Sequence, residues 1–252
     1  MSSDRDTESK TNDLARGTLR GLPFRLLRSA LIRVLFPPLG LTVEGLEHVP
    51  STGGILVVSN HLHNADPVLL SIAFPRPLHF MAKKELFRLH FIGWLIRRVG
   101  AFPVDRQKAD RGALRRAEAV LAQGIAVGMF PEGTRSRTAA LGPAHPGAAL
   151  LALRTEVPIL PVTIVGSERL PWNGTKSRQR ERSAKKSDSS RAIVIRIGPP
   201  FQVSRSADAP RSAVEDASQA LMTRLAAMLP PAYRGHYGDR PALPDADEVG
   251  EN

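Results

Sequence analysis

From Leu41 onward, short runs of apolar residues alternate with longer segments whose apolar positions recur every three or four residues. Gly54-Ile55-Leu56-Val57-Val58-Ser59 is the clearest run, and an unbroken apolar stretch of that length predicts a strand buried on both faces. Pro77 to Met81, Ala101 to Val104, Ile125 to Phe130, Pro158 to Val165 and Ala192 to Ile197 predict further strands. Between them, Pro67–Ala73, Phe91–Val99, Ala109–Gln123 and Gly147–Thr155 have the helical period, and Ala213–Leu229 adds a last helix. Strands alternating with helices predict an α/β fold: a mixed, largely parallel sheet flanked by helices.

The flanking segments differ in pattern. Residues 1–22 are polar, with no apolar stripe, and predict a disordered tail. In 23–38, Phe24, Leu27, Ala30, Leu31 and Val34 fall at helical spacing, with Arg25, Arg28 and Arg33 on the other side and Pro37-Pro38 as a stop. That stretch predicts an N-terminal amphipathic helix suited to a membrane interface, or to packing on the core. Residues 39–230 form the single expected domain, and 231–252, rich in Pro, Gly and acidic residues, predict a flexible C-terminal tail. Thr175 to Arg191 is a basic low-complexity stretch expected to form a solvated loop.

Charge narrows the partners. Lys and Arg number 35 against 24 Asp and Glu, a formal net charge of +11, which favours an anionic partner. No run of 18 uninterrupted apolar residues is present, so no spanning helix is expected. The chain has no cysteine, which excludes disulfides, thiolate-metal sites and a thiol nucleophile. Aromatics make up only 5% and none interrupts the basic 175–191 run, so stacking recognition of nucleic acid is not expected.

Four segments carry chemistry. Asn60-His61-Leu62-His63-Asn64-Ala65-Asp66-Pro67 follows a strand, and its spacing permits a hydrogen bond between the His61 imidazole and the Asp66 carboxylate. Such a pair makes a general base, because the carboxylate fixes the tautomer and stabilises the imidazolium. Asp66 is also a candidate N-cap, with Pro67 at the first helical position. Phe130-Pro131-Glu132-Gly133-Thr134-Arg135-Ser136, also at a strand exit, offers hydroxyl and backbone donors and a bidentate guanidinium, a set suited to a phosphate. Gly100 to Arg106 is a short strand ending in Asp105-Arg106. Val157 to Val162 is an apolar strand with two prolines, Pro158 and Pro161, unusual inside a sheet.

Together and in this order, the four segments resemble the glycerolipid acyltransferase family, the 1-acyl-sn-glycerol-3-phosphate acyltransferases and their relatives. The likeness spans roughly residues 40 to 200 and rests on Asn60, His61 and Asp66, on Gly100, Phe102, Asp105 and Arg106, on the intact run 130–136, and on Pro158–Pro161. It implies transfer of a fatty acyl group from acyl-CoA or acyl carrier protein, as co-substrate, to the sn-2 hydroxyl of a lysophosphatidate acceptor. By that resemblance His61 is the general base and Asp66 orients it. Arg106 and Arg135 hold the acceptor phosphate, and Glu132, Gly133 and Thr134 shape its seat. No metal and no permanently bound cofactor are implied. The expected location is peripheral, on the cytoplasmic face of the cell membrane, against an anionic surface. Another lysolipid, a glycolipid or glycerol 3-phosphate would satisfy the same motifs. Two positions depart from the family's habit: His63 stands where a small hydroxyl residue is common, and His145-Pro146 where a Lys is common. His61, His63 and Asp66 also spell His-x-His-x-x-Asp, the basis of a rival reading as a zinc hydrolase.

Overall fold

The computed structural model describes residues 40–83, 102–104, 111–171, 192–203 and 210–238. The expected N-terminal helix at 23–38, the helix at 91–99, Asp105-Arg106, the basic stretch 175–191 and the chain after Gly238 lie outside these residues.

Seven strands form one sheet. They are β1 (Thr42–Glu44), β2 (Ile55–Ser59), β3 (Leu78–Lys83), β4 (Phe102–Val104), β5 (Ala126–Met129), β6 (Ile159–Val165) and β7 (Val194–Ile197), in the spatial order β1-β7-β6-β2-β5-β3-β4. From β6 to β4 all neighbours are parallel, β7 runs antiparallel to β6, and β1 pairs parallel with β7. The helices are α1 (Asp66–Ala73), α2 (Arg111–Ala122), α3 (Gly147–Thr155) and α4 (Pro210–Met228).

The alternation of strand side chains divides the core in two. Leu56 and Val58 of β2 point to one face and meet Val120 and Leu121 of α2, Leu151 of α3 and Leu225 of α4. Ile55 and Val57 point to the other and meet Leu69, Leu70 and Ala73 of α1. All five residues of β2 are buried, because helices cover both faces of the sheet there.

This topology places the site. β2 leads through α1 to β3 on one side, whereas β5 leads through α3 to β6 on the other side, although β2 and β5 are adjacent. Their connections pass on opposite faces of the sheet, α1 on that of Ile55 and Val57 and α3 on that of Leu56 and Val58, so the crevice expected at a switch point lies outside the carboxyl ends of the two strands. Open α/β sheets bind ligands at such switch points.

Pro161 fits β6 for a local reason. Ile159 exchanges both backbone hydrogen bonds with Phe201, and Pro161 lies on the same edge of the strand, where its carbonyl accepts from Gly198 N–H at 2.9 Å. The missing proline N–H therefore falls opposite the Gly198-Pro199-Pro200 kink, where the ladder with β7 is interrupted.

The C-terminal boundary differs from expectation. Residues 231–238, expected to begin a flexible tail, form two short 3-10 turns, Pro231–Tyr233 and Gly235–Tyr237, with Tyr233 and Tyr237 buried in the core. Two aromatic rings supply apolar area that the Pro- and Gly-rich composition concealed.

Candidate active site

β2 ends at Ser59, and the next two residues turn into the crevice. Asn60 is buried and spans to β6: its Nδ2 donates to Ile164 O and its Oδ1 accepts from Ile164 N–H, each at 2.8 Å. This pair continues the β2–β6 ladder past its last backbone bond and fixes the point where His61 leaves the sheet.

His61 Nδ1 lies 2.9 Å from Asp66 Oδ2, and both residues are buried. The same oxygen accepts from Leu62 N–H at 2.6 Å and His63 N–H at 2.7 Å. The expectation that Asp66 caps α1 is corrected: the cap position is Ala65, no side chain caps the helix, and Asp66 sits inside its first turn. Its carboxylate turns back to the preceding loop, where three donors converge, and so serves the histidine in place of the helix end. An Nδ1–H donated to a carboxylate leaves His61 Nε2 with its lone pair free for a proton. The ring stacks on Phe130, with centroids 4.0 Å apart and planes at 16°, and Phe130 stacks in turn on Phe80.

Phe130 opens the second loop, at the exit of β5. The two loops are clasped twice: His61 N–H donates to Glu132 Oε1 at 3.1 Å, and Ser136 N–H donates to His61 O at 2.7 Å. Glu132 Oε2 accepts from Gly142 N–H at 3.0 Å. Both oxygens of this buried side chain thus meet backbone donors, which makes Glu132 a brace between segments. Burial pushes its carboxyl up to about 7; the backbone N–H groups of Gly142 and His61 pull it down, and the Asp66 charge pushes it further up. Gly133 and Thr134 are exposed at the rim and Arg135 is half-buried. Gly133 adopts a φ of +65°, and its α-carbon lies against the His145 ring. His145 thus packs on the turn.

His63 is used differently. Its Nδ1 accepts from Ala65 N–H at 3.0 Å, which leaves Nε2–H to donate to Pro171 O at 3.2 Å. Burial lowers its pKa, against the Asp66 charge, and Arg135 and His61 lower it as well. Both ring nitrogens hold the loop in shape, which sets His63 apart from a metal ligand or a base. Among the described residues, no group of three or more His, Cys, Asp or Glu side chains is placed to hold a metal ion.

The structure therefore brings His61, Asp66, Glu132, Gly133, Thr134 and Arg135 to one crevice, while Arg106 lies outside the described residues. Sequence reasoning did not single out Phe80, Phe130 as a ring under His61, or Gly142; a turn glycine ten residues after Glu132 carries no motif of its own.

The site thus consists of a buried imidazole–carboxylate pair beside a strand-exit loop of small, hydroxyl and guanidinium groups. The acyltransferase family model matches residues 40–165, half of the chain, and the protein belongs to that family. It is 31% identical over 144 residues to the 1-acyl-sn-glycerol-3-phosphate acyltransferase of Bacillus subtilis, covering 57% of this chain and 71% of that one. It is 32% identical over 145 residues to the chloroplastic 1-acyl-sn-glycerol-3-phosphate acyltransferase BAT2 of Brassica napus, covering 56% of this chain and 42% of that longer one. Among solved structures, it resembles the 1-acyl-sn-glycerophosphate acyltransferase PlsC from Thermotoga maritima, with a TM-score of 0.57 at 26% identity. That match covers 78% of this chain and 77% of the other.

Proposed function

We propose that the protein transfers a fatty acyl group from a thioester, acyl-CoA or acyl carrier protein, to the sn-2 hydroxyl of 1-acylglycerol 3-phosphate, giving phosphatidic acid. The observation that carries this reading is the buried His61–Asp66 pair at 2.9 Å, clasped to the loop of Thr134 and Arg135. The relatives' names supply the acceptor.

In this mechanism His61 Nε2 takes the proton of the acceptor hydroxyl as its oxygen attacks the thioester carbonyl carbon. The imidazolium is held by Asp66 and lies on the face of Phe130, where a ring quadrupole favours positive charge. The tetrahedral intermediate then collapses, the C–S bond breaks, and the proton passes from His61 to the departing thiolate. No acyl-enzyme forms, which agrees with a chain that has no cysteine. Arg135 meets the acceptor phosphate, Gly133 and Thr134 shape its seat, and Arg106, outside the described residues, is assigned to the same phosphate by the motif alone. The acceptor is lipid, so the crevice opens toward an anionic membrane surface on the cytoplasmic side. Among the described residues no helix is long and apolar enough to cross a membrane.

The test is product identification by mass spectrometry after incubation of the purified chain with acyl-CoA or acyl carrier protein and a panel of lysolipids. Phosphatidic acid formed by the wild type and lost in His61→Ala supports the reading. Acylation of a different lysolipid, with lysophosphatidate untouched, replaces the acceptor; no acylation at all overturns it.

A further inference from the structure

Residues 231–237 lie outside the stretch matched by the family model, yet they are linked to the candidate base through the 141–144 stretch and the Glu132 side chain. Leu141 N–H donates to Tyr233 O at 2.9 Å, and His236 N–H returns a bond to Leu141 O at 3.0 Å. Ala144 N–H donates to the Tyr237 hydroxyl oxygen at 3.3 Å. Gly235 takes a φ of +49°, and a Cβ there would overlap the Leu141 carbonyl oxygen, so only glycine lets the turn approach so closely. The Tyr233 hydroxyl donates to Glu168 Oε1 at 2.8 Å on the turn after β6, tying the segment to the sheet.

Between Leu141 and Ala144 stands Gly142, whose N–H holds Glu132 Oε2. Glu132 Oε1 holds the backbone of His61. At its far end the same stretch is tied by His145 N–H to Pro131 O at 2.8 Å. A continuous line of hydrogen bonds thus runs from the C-terminal turns through 141–144 and Glu132 to His61.

We propose that the 231–237 segment is a positioning element for the active site: it fixes residues 141–144, and through them Glu132 and the His61 backbone. The proposal rests on the reading of His61 as the catalytic base. Tyr237 and Gly235 are its positioning residues; neither touches the substrate. Two backbone donors favour the ionised form of Glu132, and the groups facing it are the backbone N–H groups of Gly142 and His61 and the charge of Asp66. Releasing Gly142 removes one of the two bonds that favour the ionised form, so Glu132 then titrates at higher pH.

The test uses the full chain with Tyr237→Phe, which keeps the buried ring and removes the acceptor of Ala144 N–H, and with Gly235→Ala. Ile195→Val, a buried β7 side chain in the core on the other face of the sheet, reports a loss of packing alone. Glu132 is followed by carboxyl NMR and the 131–145 amides by hydrogen exchange, neither of which needs substrate. Both brace variants are expected to raise the Glu132 midpoint and to speed exchange of the Gly142 amide by roughly tenfold. An upward move of about one unit from about 7 lowers the ionised fraction at pH 7 about fivefold, and turnover of lysophosphatidate should fall with it. Ile195→Val should lower Tm and leave the Glu132 midpoint in place. The proposal is overturned if Tyr237→Phe and Gly235→Ala behave as Ile195→Val does. If the wild type acylates no lysophosphatidate, the proposed function fails, while the titration and exchange still decide whether the C-terminal turns hold Glu132.

Discussion

Glu132 is drawn in two directions by its surroundings. Burial raises its carboxyl from the ordinary 4.5 to about 7, so the folded chain binds this proton more tightly than the unfolded chain does. Its contribution to stability is therefore complete below about pH 4.5 and is lost as pH rises through about 7. The brace works the other way, since the carboxylate accepts from His61 N–H and Gly142 N–H more strongly than the neutral acid does. Glu132→Gln is neutral at every pH and presents an NH2 group to one of those donors. The stability difference, wild type minus variant, should accordingly shrink as pH rises from 5 to 7.5 in thermal melts; a difference independent of pH would refute the assignment. Turnover of the variant should fall by about tenfold or more, because one buried donor loses its acceptor beside the base. The histidines part company on similar grounds. His61→Ala should remove roughly 10²–10⁴-fold of turnover, and Asp66→Asn should be severe because all three donors converge on Asp66 Oδ2. His63→Ala loses only the bonds to Ala65 and Pro171 and should be milder than either. If His63→Ala is the most damaging of the three in steady-state kinetics, the base has been misassigned.

At the scale of elements, β5 carries the His61 ring indirectly. Gly128 faces Phe80 so closely that a Cβ would overlap the ring, Phe80 stacks on Phe130, and Phe130 stacks on His61. Gly128→Ala should cost about 1–3 kcal/mol through overpacking, read as a lower Tm. It should also lower kcat more than an equally destabilising core change remote from the stack, because the displaced ring tilts the imidazole. Equal losses of kcat in the two variants would reduce the stack to ordinary packing. β2, β5 and β6 were legible because they are largely apolar on both faces, and α3 was read at the limits it has in the structure, Gly147–Thr155. β1 was not, since its three residues are half exposed and carry no run. The His61–Asp66 pair was legible from its spacing, but Asp66 also read as a cap. An Asp before a Pro suits a helix start, and only the fold shows that Leu62, His63 and His61 compete successfully for its oxygen. Glu132 was assigned to the phosphate seat with its neighbours, and its brace role was hidden because both partners are backbone groups, which leave no mark in sequence.

For the whole molecule, the question is how a chain with a formal charge of +11 would meet the proposed lysolipid acceptor, which partitions into a bilayer. The sheet's switch point lies at the carboxyl ends of β2 and β5, and the proposed lipid acceptor would have to reach it from a membrane surface. The sequence at 23–38, outside the described residues, offers an apolar stripe with Arg25, Arg28 and Arg33 beside it. Each basic side chain near an anionic surface contributes about 1 kcal/mol, screened over a Debye length of about 8–10 Å. Three arginines and an apolar stripe of that length would give reversible, salt-sensitive attachment. Deleting residues 1–37 should therefore weaken sedimentation with anionic liposomes, and the deficit should narrow as salt is raised and the full chain itself lets go. Turnover of a short-chain, water-soluble acceptor should survive the deletion better than turnover of a long-chain one, because only the second must be drawn from the bilayer. A truncated chain that binds liposomes as well as the full one would place the membrane contact elsewhere on the basic surface. A truncated chain that no longer folds, judged by its melt, would assign the segment to the core.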